Sequence, residues 1–496
     1  VTVTWTDGTT KAIPNPLYAF SFHPIDPSPS DFDTFWSQFQ STLRYPTRSK
    51  QSQENLVSRA MTNDNASLRN NISLILLSST YQQFDAFSNN AWLQNGQPGQ
   101  FGSLEDCHNQ IHDLTGGPNG HMGSLDVSAF DPVFWLHHCN VDRLWAMWQD
   151  LNPNSYVTPK PSDGNFFTEP NSIEDTNSSL KPFWNTDGTD FWIPTNVKET
   201  KTFGYAYPET QSWNYSNVAQ YQAALQQQIN QEYGANALAE FVKSRVAAPQ
   251  TTVSLAASTG AFQQKAVSHP VGQVKLASVA QPSIGASAPK PAPKPAPPVK
   301  PDAPVAAVNK PGSPEVHPKI ASMIATQKYT EWVTNVRVVK HSLGQTFRVM
   351  IFLGDFNSNP ETWPFEHSLV SRVTVLGRGN TNKNCDKCRA DAAKDFVVTG
   401  TVSLTSALLQ DIADGRLASL DKEDVVPYLQ KNLHWRVSLF DGSERARDQV
   451  DGLKVGVCST QVQIGQNGIP VYSGTYDVHM DITHGRPAGL GHGDQI

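Results

Sequence analysis

The stretch "SAPKPAPKPAPPVKPDAP", residues 287–304, sets the first limit on what this chain can fold into. Proline has no backbone N–H and a fixed φ, so a segment this dense in it joins neither helix nor sheet and favours polyproline II. At about 3.1 Å per residue it reaches roughly 50 Å, and its lysines are open to proteases. We read 247–318 as an Ala/Pro/Lys-rich linker with processing sites, dividing the 496 residues into two folded halves, 1–246 and 319–496.

The halves follow different periods. Helical patterns at 31–45, 67–90, 131–153 and 215–234, between aromatic-rich loops, predict a mainly α, helical-bundle domain. Asp131-Pro132 predicts a helix start, by side-chain capping and the fixed φ of proline, and Asn152-Pro153 its end. "LEDCHNQIHDLTGG", 104–117, predicts a short helix stopped by Gly116 and Gly117. After Lys319, apolar residues alternate in seven short runs, from "EWVTNVRVVKH" to "TYDVHMDIT", between Gly, Asn and Asp turns. That predicts a mainly β sandwich and a multi-domain chain.

A formal net charge of -7 with 17% charged residues excludes a basic nucleic-acid footprint. No run of about 18 apolar residues occurs, so no membrane span is expected. The chain opens at Val1 with neither Met nor leader, and we expect the C-terminal part of a longer precursor. Five cysteines make no disulfide framework and suit a reducing compartment. Intracellular (cytoplasmic) storage is the expectation, while sequons at Asn65, Asn71, Asn177 and Asn214 leave secretion or cell-wall association open.

His108 and His112 lie on one helical face about 6 Å apart along the axis. "FDPVFWLHHCNVDR", 130–143, adds His137 and His138 on an apolar, aromatic helix, where burying adjacent imidazoles without purpose is costly. Three histidines from two helices suit copper or zinc, and spacing does not choose between them.

HxxxH followed by D-P-x-F-aromatic-x-x-H-x-x-x-D resembles the copper-B half-site of the type 3 copper family: tyrosinases, catechol oxidases and molluscan haemocyanins. Matched residue by residue, the resemblance makes His108, His112 and His138 copper ligands, with Asp131, Pro132, Phe134 and Asp142 at the other motif positions and His137 behind the ligands. "FGYAYPE" resembles the family's tyrosine motif, here Tyr205 and Tyr207, and "DGTTKAIPNPLYAFSFH" is similar to the segment between the copper sites of fungal members. The implied activity is copper-dependent oxidation of phenols with O2, both o-hydroxylation of monophenols and oxidation of o-diphenols to o-quinones, in a latent fungal tyrosinase precursor of the pigment-forming kind. The implied partners are a phenolic small molecule, O2 and an activating protease; a homo-oligomer stays open.

A phenol has a pKa of about 10, so a base must help it bind copper near neutral pH. Asn109 and Glu105 resemble the pair that holds a base-like water in monophenol-hydroxylating members; the plain alternative for Glu105 is a solvated acid near a helix N-terminus. Leu125 falls near the family's substrate gate or simply packs. On the β half, Cys385 and Cys388 form a CxxC suited to zinc, Cu(I) or a redox disulfide, and the resemblance implies copper delivery. The same lids place a bulky side chain over the copper site; Leu376 is the candidate and Phe365 the alternative, against a plain core role. Cys107 and Cys139 are expected to be buried thiols and Cys458 a strand-core residue. Only His23 precedes His108, so the copper-A triad is absent: the intact protein is expected to hold two copper ions and this chain to encode one site. The alternatives are a catechol oxidase, an inert copper-binding fragment or a haemocyanin-like oxygen carrier.

Overall fold

A computed structural model describes residues 1–22, 34–91, 102–162, 164, 167–234, 238, 317–378, 393 and 395–494. Most of the expected linker, His23, Cys385 and Cys388 lie outside these residues. Residues 1–244 and 316–496 form one compact unit, so the helical and strand-rich parts pack together.

Four helices carry the first part: α1 (Glu54–Leu77), α2 (Leu104–Gly116), α3 (Pro132–Leu151) and α4 (Val218–Glu232). Ser103 caps α2 by accepting from Asp106 N, and Gly117, at φ 64°, ends it by donating to Asp113 O. Asp131 accepts from Val133 N at the head of α3, with Pro132 in the first turn, as the sequence predicts. Trp148 of α3 is the hub of the helical core: its ring stacks on Phe87 at 4.3 Å and its Nε1–H donates to Tyr81 O at 2.7 Å.

Two expectations need correction. In 31–45 only Thr34–Ser37 of the described residues is helical; Phe22 N donates to Gln40 O and Thr42 N to Phe20 O, so 40–42 runs extended against 20–22. The helix expected at 67–90 begins at Glu54 and ends at Leu77. In the unmarked part, 54–66, only Ala60 and Asp64 are buried, so no hydrophobic periodicity shows there.

The second part opens with α5 (Pro318–Thr326) and then builds two antiparallel sheets. Its elements are β1 (Lys328–Val339), β2 (Phe347–Leu353), β3 (Leu369–Val375), β4 (Val397–Ser403), α6 (Thr405–Ala413), α7 (Lys422–Asn432), β5 (Leu433–Leu439), β6 (Glu444–Arg445), β7 (Lys454–Ile464), β8 (Pro470–Tyr472) and β9 (Asp477–Val478). One sheet has the order β6-β5-β2-β3; the other runs β8-β7-β1-β4, with β9 also on β7. Trp332, Val336, Val349, Ile351, Trp435 and Val457 share the core that both sheets supply. Six of the seven alternating runs are strands of this pair. The seventh, 475–483, keeps only β9 and then enters a 3-10 turn in which Ile482 N donates to His479 O, while the His479 ring packs on Trp332 at 4.6 Å. No described helix is long and apolar enough to cross a membrane.

The strand-rich part docks on α1 and α2 through buried polar groups. Asp64 accepts from Arg372 Nη2 at 2.8 Å, Ser371 Oγ at 2.8 Å and Gln110 Nε2 at 3.1 Å. Asp113 accepts from Arg372 Nη1 at 3.2 Å and from Arg348 Nε. Asn71 donates to Thr401 O at 3.0 Å, and Gly400 sits so close to Asp106 and Val373 that a Cβ there would lie 2.8 and 2.5 Å from them. The helix bearing the first histidine pair is thus tied directly to the sheets.

Candidate metal centre

His108 and His112 come from one face of α2 and His137 and His138 from α3, and their ligating atoms all lie within 4.8 Å of one another. Among the described residues this is the one group of three or more His, Cys, Asp or Glu so placed. Three Nε2 atoms converge: His108–His112 at 3.1 Å, His108–His138 at 3.3 Å and His112–His138 at 3.4 Å.

The far side of each α2 imidazole decides what those nitrogens can do. His108 Nδ1 is 2.9 Å from Asn109 Oδ1, and His112 Nδ1 is 2.7 Å from Met122 O. Both partners are oxygens that only accept, so each Nδ1 carries the proton and each Nε2 presents a lone pair. His138 alone could donate within the triangle, which leaves it short of protons. A metal resolves that shortage: imidazole–metal bonds of about 2.0–2.1 Å place tetrahedral ligand atoms about 3.3 Å apart, the spacing found.

Burial holds the cluster neutral. It pushes His112 down to about 3, helped by the charges of His108 and His138, and His138 down to about 4, helped by His108. His108 is also lowered by burial. His137 is driven down to about 2 by burial and then by the three other imidazoles; its ring stacks on His108 at 5.0 Å and its buried Nε2 has no hydrogen-bond partner. Neutral imidazole is the ligating form.

The remaining motif residues frame this group. Phe134 stacks on His138 with centroids 4.0 Å apart. Asp131 caps α3 and also receives Arg44 in a fork, Nε to Oδ2 at 2.8 Å and Nη2 to Oδ1 at 2.7 Å. Asp142 Oδ2 accepts from both Tyr205 and Tyr207 at 2.6 Å, clasping the tyrosine motif to α3. Sequence reasoning missed Arg44 and the Met122 carbonyl; a lone Arg far from the motif and a backbone oxygen leave no signal in a pattern. It also missed Arg143, which holds Glu209 and Glu232 at 2.6 Å each and Tyr233 at 2.7 Å.

Glu105 Oε2 accepts from Asn90 N at 3.1 Å. Leu125 is 42% exposed, and the next residue, Asp126, pairs with Arg378 of the strand-rich part at 2.9 Å. Leu376 is buried just beyond β3. Phe365 packs on Tyr45 at 6.0 Å and under the Arg59 guanidinium at 4.8 Å. The lid side chain beside the loop that carries Met122 is Phe440, whose ring would lie 3.1 Å from a Cβ at Gly123 and which meets Trp36 at 6.1 Å. Cys107 and Cys458 are buried, as expected; Cys139 is exposed, its Sγ 3.8 Å from Tyr207 Oη, because that turn of α3 carries Asn140 and Asp142 outward too.

Neutral imidazoles converging from two helices, with a strand-rich part bolted to the ligand helix, define a histidine metalloprotein with a built-on lid. Residues 2–151 match the common central domain of tyrosinase and residues 331–457 the tyrosinase C-terminal domain. A tyrosinase of Neurospora crassa is 48% identical over 514 residues, covering 99% of this chain and 74% of the relative. One from Podospora anserina is 45% identical over 421 residues, covering 84% and 68%. Among solved structures, latent and active mushroom tyrosinase has the same fold at a TM-score of 0.67, 20% identical, covering 99% of this chain and 73% of that one. The chain belongs to the tyrosinase family, the copper-dependent oxidoreductases of phenols.

Proposed function

We propose that His108, His112 and His138 hold one copper ion through their Nε2 atoms and that this chain supplies that half of a dinuclear phenol-oxidising centre. The triangle of Nε2 atoms at 3.1–3.4 Å, with both α2 tautomers set from behind, carries the reading. Copper would supply the redox chemistry between O2 and a phenol. Around it, Asn109 and Met122 keep two ligands oriented, Phe134 fixes the His138 ring plane, and His137 fills the space behind His108 without serving as a ligand.

Hydroxylating a monophenol needs its proton removed. Asn109 stands beside the first ligand and Glu105 one turn before it on α2; a base role for Glu105 runs through the carboxylate oxygen that Asn90 does not hold. The strand-rich part acts as a lid: it grips α2 through Asp113, next to His112, and cleavage within 247–318 would free it. Leu376 remains the proposed side chain over the copper, and Cys385 with Cys388 the copper-delivery pair.

The test is copper content and oxygen uptake of the protein carrying both halves of the centre, with tyrosine and with a catechol, before and after limited proteolysis in 247–318. Turnover of both substrates that appears on cleavage supports a latent tyrosinase, and turnover of catechol alone makes it a catechol oxidase. Reversible O2 binding without turnover makes it a carrier. Copper confined to the His108, His112 and His138 site in that protein, with no turnover or O2 binding even after cleavage, overturns the enzyme reading.

A further inference from the structure

His121, in the loop between α2 and α3, is wholly buried and stands outside the histidine cluster. Its ring lies among Phe22, Trp36 and Phe39, with centroids 5.5, 4.8 and 5.4 Å away. A phenylalanine would fill that aromatic space without burying a polar atom, whereas His121 Nε2 is buried with no hydrogen-bond partner. What offsets that cost is Nδ1, which accepts from Leu43 N at 3.0 Å. Accepting there puts the ring proton on Nε2 and needs a neutral imidazole, and burial pushes the His121 pKa down to about 4.

The backbone makes the same contact a second time: His121 N donates to Leu43 O at 3.1 Å, so ring and main chain of one residue both grip Leu43. Each side of this contact leads to a ligand helix. Met122 follows His121 in the 3-10 turn His121–Gly123, and its carbonyl receives His112 Nδ1 at 2.7 Å. Arg44 follows Leu43, and its fork on Asp131, at 2.8 and 2.7 Å, holds the head of α3, the helix of His138.

On the reading that these histidines hold copper, we propose that His121 is a positioning residue for the metal centre: its Nδ1 locks Leu43 to the turn that carries Met122, and so fixes the tautomer of His112 and its spacing from His138. Without that acceptor the buried Leu43 N–H has no partner, and the turn is free to shift the carbonyl on which His112 depends.

Cu(I) is the probe, its affinity for the full chain read by chelator competition, with His138→Ala marking what the three ligands contribute. We expect His121→Phe, which keeps an aromatic ring and loses the acceptor, to bind Cu(I) about tenfold more weakly, and His121→Asn, whose Oδ1 stands where Nδ1 stood, to regain most of that affinity without the ring. In the copper-free chain, NMR of isotope-labelled histidine should find His121 protonated on Nε2 and His112 on Nδ1, and in His121→Phe the His112 proton should divide between its two nitrogens. A merely structural His121 would lower the melting temperature of both variants and move neither readout. Unchanged Cu(I) affinity and His112 tautomer in His121→Phe, a loss in His121→Asn of about tenfold, or a His121 proton on Nδ1 would overturn the proposal. The last two decide it even if His121→Phe does not fold. Equal Cu(I) affinity in the unaltered chain and in His138→Ala would overturn the copper reading itself, and the proposal with it.

Discussion

Arg372 is the side chain on which the union of the two parts most depends, and its replacement by leucine gives a number to check. Its guanidinium, about 1% exposed, bridges Asp64 at 2.8 Å and Asp113 at 3.2 Å. Removing one partner of a buried ion pair costs about 3–5 kcal/mol, because the orphaned carboxylate can no longer be solvated. Asp113 keeps Arg348, so the deficit falls on Asp64, which retains only the neutral donors Ser371 and Gln110. That puts Arg372→Leu near the lower end, about 3 kcal/mol. The second arm follows from the same cause: adding Asp64→Asn removes the stranded charge and should restore more than half of the loss. Urea unfolding of the single and double variants at pH 7 measures both, read from the midpoint at constant m-value. A loss under about 1 kcal/mol, or no recovery on adding Asp64→Asn, would refute the claim that buried charge pairing fastens the lid.

Three further outcomes follow from the site. Asn109→Ala deletes the acceptor behind His108 Nδ1 and should weaken copper affinity about 10–100-fold, measured by chelator competition, with little change in unfolding. Burial pushes Asp106 up to about 8, from an ordinary value near 4. The folded chain therefore keeps a proton that the unfolded chain has lost, and stability falls as pH rises between those values by up to about 1.4 kcal/mol per unit. Asp106→Asn should accordingly match the unaltered protein near pH 4 and exceed it by several kcal/mol at pH 8, in denaturation at the two pH values. Asp131→Ala removes both the cap of α3 and the partner of Arg44, and should cost about 2–4 kcal/mol by urea unfolding; a cost under 1 kcal/mol would show that the fork contributes nothing.

What could be read from the sequence depended on how local each signal is. α3 announces itself because Asp131, Pro132 and Asn152 act within a turn of the helix they bound, and the two α2 histidines meet through nothing more than helical repeat. The alternating strands are legible for the same reason, whereas α5, α6 and α7, between or beside them, carry no period-two signal.

The first half of α1 shows the opposite case. Only Ala60 and Asp64 are buried there, and Ser67 and Asn71 follow in the second half before the apolar run Ile72–Leu76, so no hydrophobic stripe marks it. Asp64 and Asn71 are buried because their partners are charged or polar too, and Arg372 stands 308 positions away from Asp64 in the chain. A pattern scan treats such residues as solvent-facing. Their burial costs free energy unless the strand-rich part is docked, so the same residues that hide α1 in the sequence make the helical part dependent on its lid. A chain whose lid must leave for activity would then pass through a state with Asp64 and Asp113 newly exposed to water, where they are readily solvated. Apolar residues in their place would make the freed surface sticky. If the lid is released as proposed above, the polar Asp64–Arg372–Asp113–Arg348 chain suits that step, since both carboxylates and both guanidiniums are readily solvated once apart.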